Sequence, residues 1–173
     1  MTAGRVFIAL GSNLGDSPAV LRDAFVRLAP LSSAPVRRSS LWTSTPVDCP
    51  PGSPRFVNAM AELRALPGQT PESLLTTLQE LEREFGRRPK VILNEPRPLD
   101  LDLIAWDDLT RSTPFLTLPH PRAHLRRFVL QPFAELAPDY HLPGQSAPIA
   151  ELLAHLQTDE ILRPLEAPDT PLP

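Results

Sequence analysis

The chain has 173 residues, with 17 Lys and Arg against 20 Asp and Glu for a net charge of −3, and 42% of it is hydrophobic. That is one domain's length with material for a core, and its charge implies no general attraction to nucleic acid or to an anionic membrane. The single cysteine, Cys49, excludes an internal disulfide and fits a reducing, cytoplasmic setting.

Val6 to Leu10 is an apolar run too short for a signal peptide core or a membrane span. Arg5 to Leu10 therefore reads as a first strand, stopped by Gly11-Ser12-Asn13-Leu14-Gly15. Asp16 or Ser17 can cap a helix with Pro18 in its first turn, and Val20, Leu21, Ala24, Phe25 and Leu28 recur at helical spacing. Pro35 to Ser44 and Phe56 to Leu66 read as the next strands, joined by a proline-stiffened loop over 45–55. In the second of these, Phe56, Asn58 and Met60 share one face and Val57, Ala59 and Ala61 the other. Thr70-Pro71-Glu72 starts a helix, Leu74, Leu75, Leu78, Leu81 and Phe85 make its stripe, and Gly86 ends it. Gln79 and Glu82 flank that stripe and are expected to be half-buried.

Residues 87–98 form a basic, proline-containing arm without apolar periodicity, carrying Arg87, Arg88, Lys90 and Arg97. Then comes Leu99-Asp100-Leu101-Asp102-Leu103-Ile104, a buried-strand pattern with two aspartates on one face and three leucines on the other. Adjacent carboxylates in such a frame repel each other and resist desolvation, so a cationic partner is expected. An Asp-x-Asp pair alone is a weak signal, because a solvated strand face paired with arginines gives the same pattern. The apolar frame and the nearby arginines favour divalent metal, bound through the carboxylates together with substrate phosphates. A turn at Asp107-Asp108, a short strand at 116–118, Pro119-His120-Pro121 and a helix holding Phe128 and Leu130, kinked or restarted at Pro132, follow. The domain is expected to span 1–162, with 163–173 a proline-rich disordered tail. The order strand, helix, strand, strand, helix, strand is that of a ferredoxin-like βαββαβ core in the broad α/β (α+β) class, a mostly antiparallel sheet with helices packed on its faces.

Several segments together resemble the 6-hydroxymethyl-7,8-dihydropterin pyrophosphokinase family. They are Ala9 to Gly15, Phe56 to Ala59, Gln79 to Glu82 with Gly86-Arg87, Pro96 to Leu103, and Leu118 to Arg122 followed by Arg126, Phe128 and Leu130. The resemblance implies transfer of pyrophosphate from ATP to the pterin hydroxymethyl group, with AMP leaving, in folate biosynthesis. It implies that Asp100 and Asp102 hold two Mg²⁺ ions and that Arg87 and Arg97 close over the phosphates. Gln79, Glu82, Lys90, Thr117, His120 and Arg126 match positions on the ATP side. Phe56 and Phe128 would sandwich the pterin, Asn58 would read one edge, and Ser44 with the backbone of Thr45 to Val47 the other. Pro89 stands where the family often has a basic residue, Asn94 where some members carry tryptophan and Pro121 where some have tyrosine.

Read alone, Phe56 and Phe128 are core residues, Glu82 is a helix-surface charge and His120 is equally a loop histidine or a phosphate ligand. Asn58 is unusual on a strand and calls for a polar task. Gly11 to Gly15 lacks the lysine and spacing of a phosphate loop and reads as a structural turn. The expected partners are ATP and the pterin alone, with no nucleic acid or membrane, and the protein is expected to be a monomer. The alternatives are a non-catalytic ferredoxin-like binding module and a different metal-dependent nucleotide transferase sharing only the Asp-x-Asp.

Overall fold

The computed structural model describes residues 3–45, 52, 54–87 and 96–166. Its centre is strand β1 (Arg5–Ser12), which pairs antiparallel on one side with β4 (Phe56–Arg64) and on the other with β5 (Asp100–Trp106). β4 in turn pairs with two short consecutive strands, β2 (Arg37–Arg38) and β3 (Leu41–Ser44), and β3 pairs with β8 (Leu162–Glu166). The order β5-β1-β4-β3-β8 is antiparallel throughout and contains the ferredoxin-like arrangement expected from the sequence. A separate hairpin joins β6 (Arg111–Ser112) to β7 (Thr117–Leu118).

Three details of the sequence reading change. β1 does not stop at Gly11 but runs through Ser12, because Gly11 pairs with Asn58 on one neighbour and Asp100 on the other. The strand expected over 35–44 is broken at Ser39-Ser40, where one extra residue bulges against β4 and the Ser39 hydroxyl accepts the Met60 amide at 2.8 Å. Residues 163–166, expected to lie in a disordered tail, continue β8 and give the edge of β3 a partner; 167–173 lie outside the described residues.

The sheet has a helical layer on each face. On one face lie α1 (Ser17–Leu28) and α2 (Pro71–Glu84), which bury Leu21, Phe25, Leu28, Leu74 and Leu78 against Val6, Ile8, Leu10, Leu101 and Leu103. Asp16 caps α1 by accepting the Ala19 amide, and Thr70 and Ser73 form a reciprocal capping box at α2. Gly86, at φ +97°, takes the left-handed turn that ends α2. On the opposite face α3 (Arg127–Leu136) and α4 (Ile149–His155) bury Leu130, Phe133, Leu136 and Ile149 against Phe7, Met60 and Ile104. Pro132 sits inside α3 and is buried, so the helix continues through it. Glu135 ties α3 to the sheet, accepting from Ser40 Oγ at 2.8 Å and Trp42 Nε1 at 2.6 Å. The second helical layer stops short of the ends of β4, β1 and β5 that carry Asn58, Gly11 and Asp100, and a cleft opens there.

Candidate active site

The cleft floor follows from strand register. Asn58, Gly11 and Asp100 lie side by side on β4, β1 and β5, and in the next row toward the core come Met60, Ala9 and Asp102. Because alternate residues share a face, the aspartates and Asn58 all point to the α3 side. A Cβ built at Gly11 would meet Asn58 Oδ1 at 3.5 Å, Phe56 Cδ1 at 3.8 Å and Asp100 Cβ at 3.9 Å. With glycine there, the floor between the amide and the carboxylate stays low. The resulting cleft has a volume of about 780 Å³.

One end of the cleft is ionic. Arg87 Nη1 donates to Glu82 Oε2 at 2.7 Å and Asp100 Oδ1 at 2.6 Å, and Arg97 Nη1 lies 3.8 Å from Asp100 Oδ2. Glu82 is buried rather than half-buried, and the same Oε2 also accepts the Leu101 amide at 2.8 Å. It thus brackets Arg87 to the start of β5. Burial works against the Arg87 charge, but Asp100 and Glu82 outweigh it and raise its pKa. Burial, followed by the charge of Asp100 and Glu82, pushes Asp102 well above the ordinary carboxylate range, and burial also raises Glu82. His120, whose amide donates to Ile104 O at 2.8 Å, is held neutral: burial and then Arg126 lower it to about 4. Arg97 is fixed through its backbone, donating to Asn13 Oδ1 at 2.9 Å and accepting the Asn13 amide at 3.2 Å.

The other end carries an amide, a hydroxyl and two aromatic rings. Asn58 Nδ2 donates to Ser44 Oγ at 2.6 Å, both residues being almost fully buried. Phe56 on β4 and Phe128 on α3 line opposite walls, each with an arginine over its ring: Arg97 at 5.4 Å from the Phe56 centroid and Arg126 at 5.3 Å from that of Phe128.

Of the residues singled out in the sequence, Arg87, Arg97, Asp100, Asp102, His120, Arg126, Ser44, Thr45, Phe56, Asn58 and Phe128 all line this cleft. Gln79, Glu82 and Thr117 do not: Gln79 and Glu82 lie along α2 beneath the sheet, and Thr117 is exposed on β7. Lys90 and Val47 lie outside the described residues, as do Pro89 and Asn94. Sequence reasoning gave no role to Arg122, Thr158 or Glu160, which also line the cleft, as does Pro121. Arg122 carried a signal, its place beside His120 in the segment Leu118 to Arg122; Thr158 and Glu160 carried none, because they arrive from a distant part of the chain.

Among the described residues no group of three or more His, Cys, Asp and Glu side chains forms a metal-holding cluster. The two strand carboxylates, one pushed above the ordinary range by burial and then by its like-charged neighbours, fit instead a hard dication that takes its remaining ligands from phosphate and water. Among the described residues no helix is long and apolar enough to cross a membrane.

A carboxylate floor under arginines, opening directly into an aromatic slot, is the equipment of a phosphotransferase whose acceptor is a small flat ring. The sequence profile of 7,8-dihydro-6-hydroxymethylpterin-pyrophosphokinase (HPPK) matches residues 7–138, and the chain belongs to this family. It is 41% identical over 154 residues to the 2-amino-4-hydroxy-6-hydroxymethyldihydropteridine pyrophosphokinase of Pseudomonas aeruginosa, covering 87% of this chain and 90% of that one. It is 37% identical over 148 residues to the enzyme of that name from Synechocystis sp., covering 84% and 73%. The wild-type HPPK-DHPS of Plasmodium falciparum shares the fold, with a TM-score of 0.70 at 12% identity over 88% of this chain; the present chain spans 44% of that longer one.

Proposed function

We propose that this protein transfers the terminal diphosphoryl group of ATP to 6-hydroxymethyl-7,8-dihydropterin, giving AMP and the pterin diphosphate in folate biosynthesis. The new bond joins the hydroxymethyl oxygen to the β-phosphorus; the bond broken is that between the β-phosphorus and the oxygen AMP keeps, and the hydroxyl gives up its proton. The observation that carries this reading is the row Asn58, Gly11, Asp100. It sets the Asn58 amide and the Asp100 carboxylate on the two strands that flank β1, with only Gly11 between them. A pterin edge on Asn58 and Ser44, between Phe56 and Phe128, would thus hold its hydroxymethyl group toward Asp100.

In this reading Arg87, Arg97 and Arg126 bind and orient the polyphosphate, and neutral His120 donates or accepts a hydrogen bond without adding charge. Asp100 and Asp102 would hold Mg²⁺, two ions in our reading, which supply charge neutralisation for the transferred group. Gln79, Lys90 and Thr117 remain on the ATP side only as family matches, and Glu82 is better read as the bracket that positions Arg87. The same reading makes the protein a cytoplasmic monomer that meets only small molecules.

Product analysis tests it. Protein incubated with Mg²⁺, ATP and the dihydropterin should yield AMP one-for-one with pterin diphosphate. Formation of ADP, or no nucleotide change, overturns the reading.

A further inference from the structure

Helix α3 begins without a cap of its own. Arg126, the residue before it, makes no side-chain capping bond, and the first amides of a helix have no partner inside it. The acceptor comes from far down the chain: Glu160 Oε2 takes the amide of Arg127, the first residue of α3, at 2.8 Å. The Thr158 hydroxyl donates to the same oxygen at 3.2 Å and accepts the Glu160 amide at 3.2 Å. The next residues cross to the opposite wall of the cleft. Thr45 N donates to Ile161 O at 3.4 Å, and Leu162 pairs with Ser44 in the β3–β8 ladder. Thr158 to Leu162 therefore ties the wall that carries Phe128 to the wall that carries Ser44 and Thr45. Thr158 and Glu160 themselves line the cleft between those walls.

We propose that Glu160 is a positioning residue for the aromatic slot: by capping α3 it sets Phe128, and the Arg126 guanidinium over that ring, at a fixed distance from Ser44 and Asn58. This rests on the reading of that slot as the pterin site. What matters is reach rather than charge, because the carboxylate works as an acceptor aimed at one amide. Glu160→Gln keeps the acceptor and loses the charge. Glu160→Asp keeps the charge and is one methylene short.

The experiment compares the full-length protein with these two variants. One arm is titration with 6-hydroxymethyl-7,8-dihydropterin in the presence of a non-hydrolysable ATP analogue. The other is amide hydrogen exchange at Arg127 without ligand. Glu160→Gln should bind pterin within about twofold of the parent, whereas Glu160→Asp should bind about five- to tenfold more weakly, the size of a lost cap. Only Glu160→Asp should exchange the Arg127 amide faster. Parent-like pterin binding by Glu160→Asp, or equal losses in both variants, overturns the proposal. If the unsubstituted protein does not bind pterin, the substrate reading fails instead, and the exchange comparison still decides whether Glu160 is the cap.

Discussion

At the scale of residues, the site depends on what is small and what is crowded. Gly11 is small: its backbone lies between Asn58 and Asp100, and a Cβ there would make only ordinary contacts. Branching beyond that Cβ would fill the cleft floor. Gly11→Val should therefore fold, melting within a few degrees of the parent, while kcat/KM falls roughly ten- to a hundredfold, as expected for a clash of about 1–3 kcal/mol. A folded Gly11→Val with full activity would show that substrates do not use this floor. Asp102 is the crowded residue. Burial and two neighbouring carboxylates raise its pKa, so the native protein keeps a proton that the unfolded chain releases above about pH 4. Where the native state binds more protons, stability falls as pH rises. Without divalent metal, the melting temperature should decline from mildly acidic toward mildly alkaline pH, and Asp102→Asn should flatten that decline. His120, lowered to about 4, acts oppositely: it costs stability as pH falls from 6.5 toward 4. The informative quantity is thus the difference between parent and variant, and parallel melting profiles would refute the assignment.

At the scale of elements, the sequence was readable wherever a local pattern decides. The apolar stripe and Thr70-Pro71 announced α2, and alternation put Asn58 and Met60 together and Asp100 and Asp102 together. What was not readable came from pairing partners. Gly11 looked like a strand stop, yet it lies in the middle strand of three, where glycine serves close approach instead. Leu162 to Glu166 showed no alternation, and only the unpaired edge of β3 makes them a strand. α4 went unpredicted although Ile149, Leu152, Leu153 and Leu156 recur at helical spacing, because a seven-residue helix is too short for that stripe to stand out. Glu82 looked like a surface charge because nothing in α2 indicates that Leu101 and Arg87 will meet it. The capping box gives this scale its test. Thr70→Ala removes the acceptor of the Ser73 amide and should cost about 1 kcal/mol, a drop of about 2–4 °C in Tm. Turnover should hold, because Glu82 sits at the other end of the helix, anchored separately to β5. A lost turnover would mean that the whole helix, not Glu82 alone, sets Arg87.

At the scale of the molecule, the charge is unevenly spread. The chain is net −3, yet four arginines, Arg87, Arg97, Arg122 and Arg126, converge on one cleft against Asp100 and Glu160, while Asp102 keeps its proton and His120 is neutral. A cleft whose sign opposes that of the whole molecule focuses its field at the mouth, draws an anionic ligand in and leaves a neutral one indifferent. The two substrates proposed here differ in just this respect: the nucleotide is a polyanion and the dihydropterin is uncharged near neutral pH. Added salt shortens the Debye length from about 10 Å at 0.1 M to about 3 Å at 1 M, which reaches charges at the rim before buried ones. Raising ionic strength about tenfold from a low-salt buffer should therefore raise KM for ATP several-fold and change KM for the pterin less than about twofold. Arg122 is exposed at the rim, its amide held by His120 Nδ1 at 3.2 Å, so Arg122→Ala should lessen the salt dependence for ATP and leave pterin binding alone. Steady-state kinetics across a salt series decides the matter. Equal sensitivity of both substrates would mean that salt acts on the fold rather than on the cleft, and no sensitivity would mean that the arginines are already fully committed to Asp100 and Glu82.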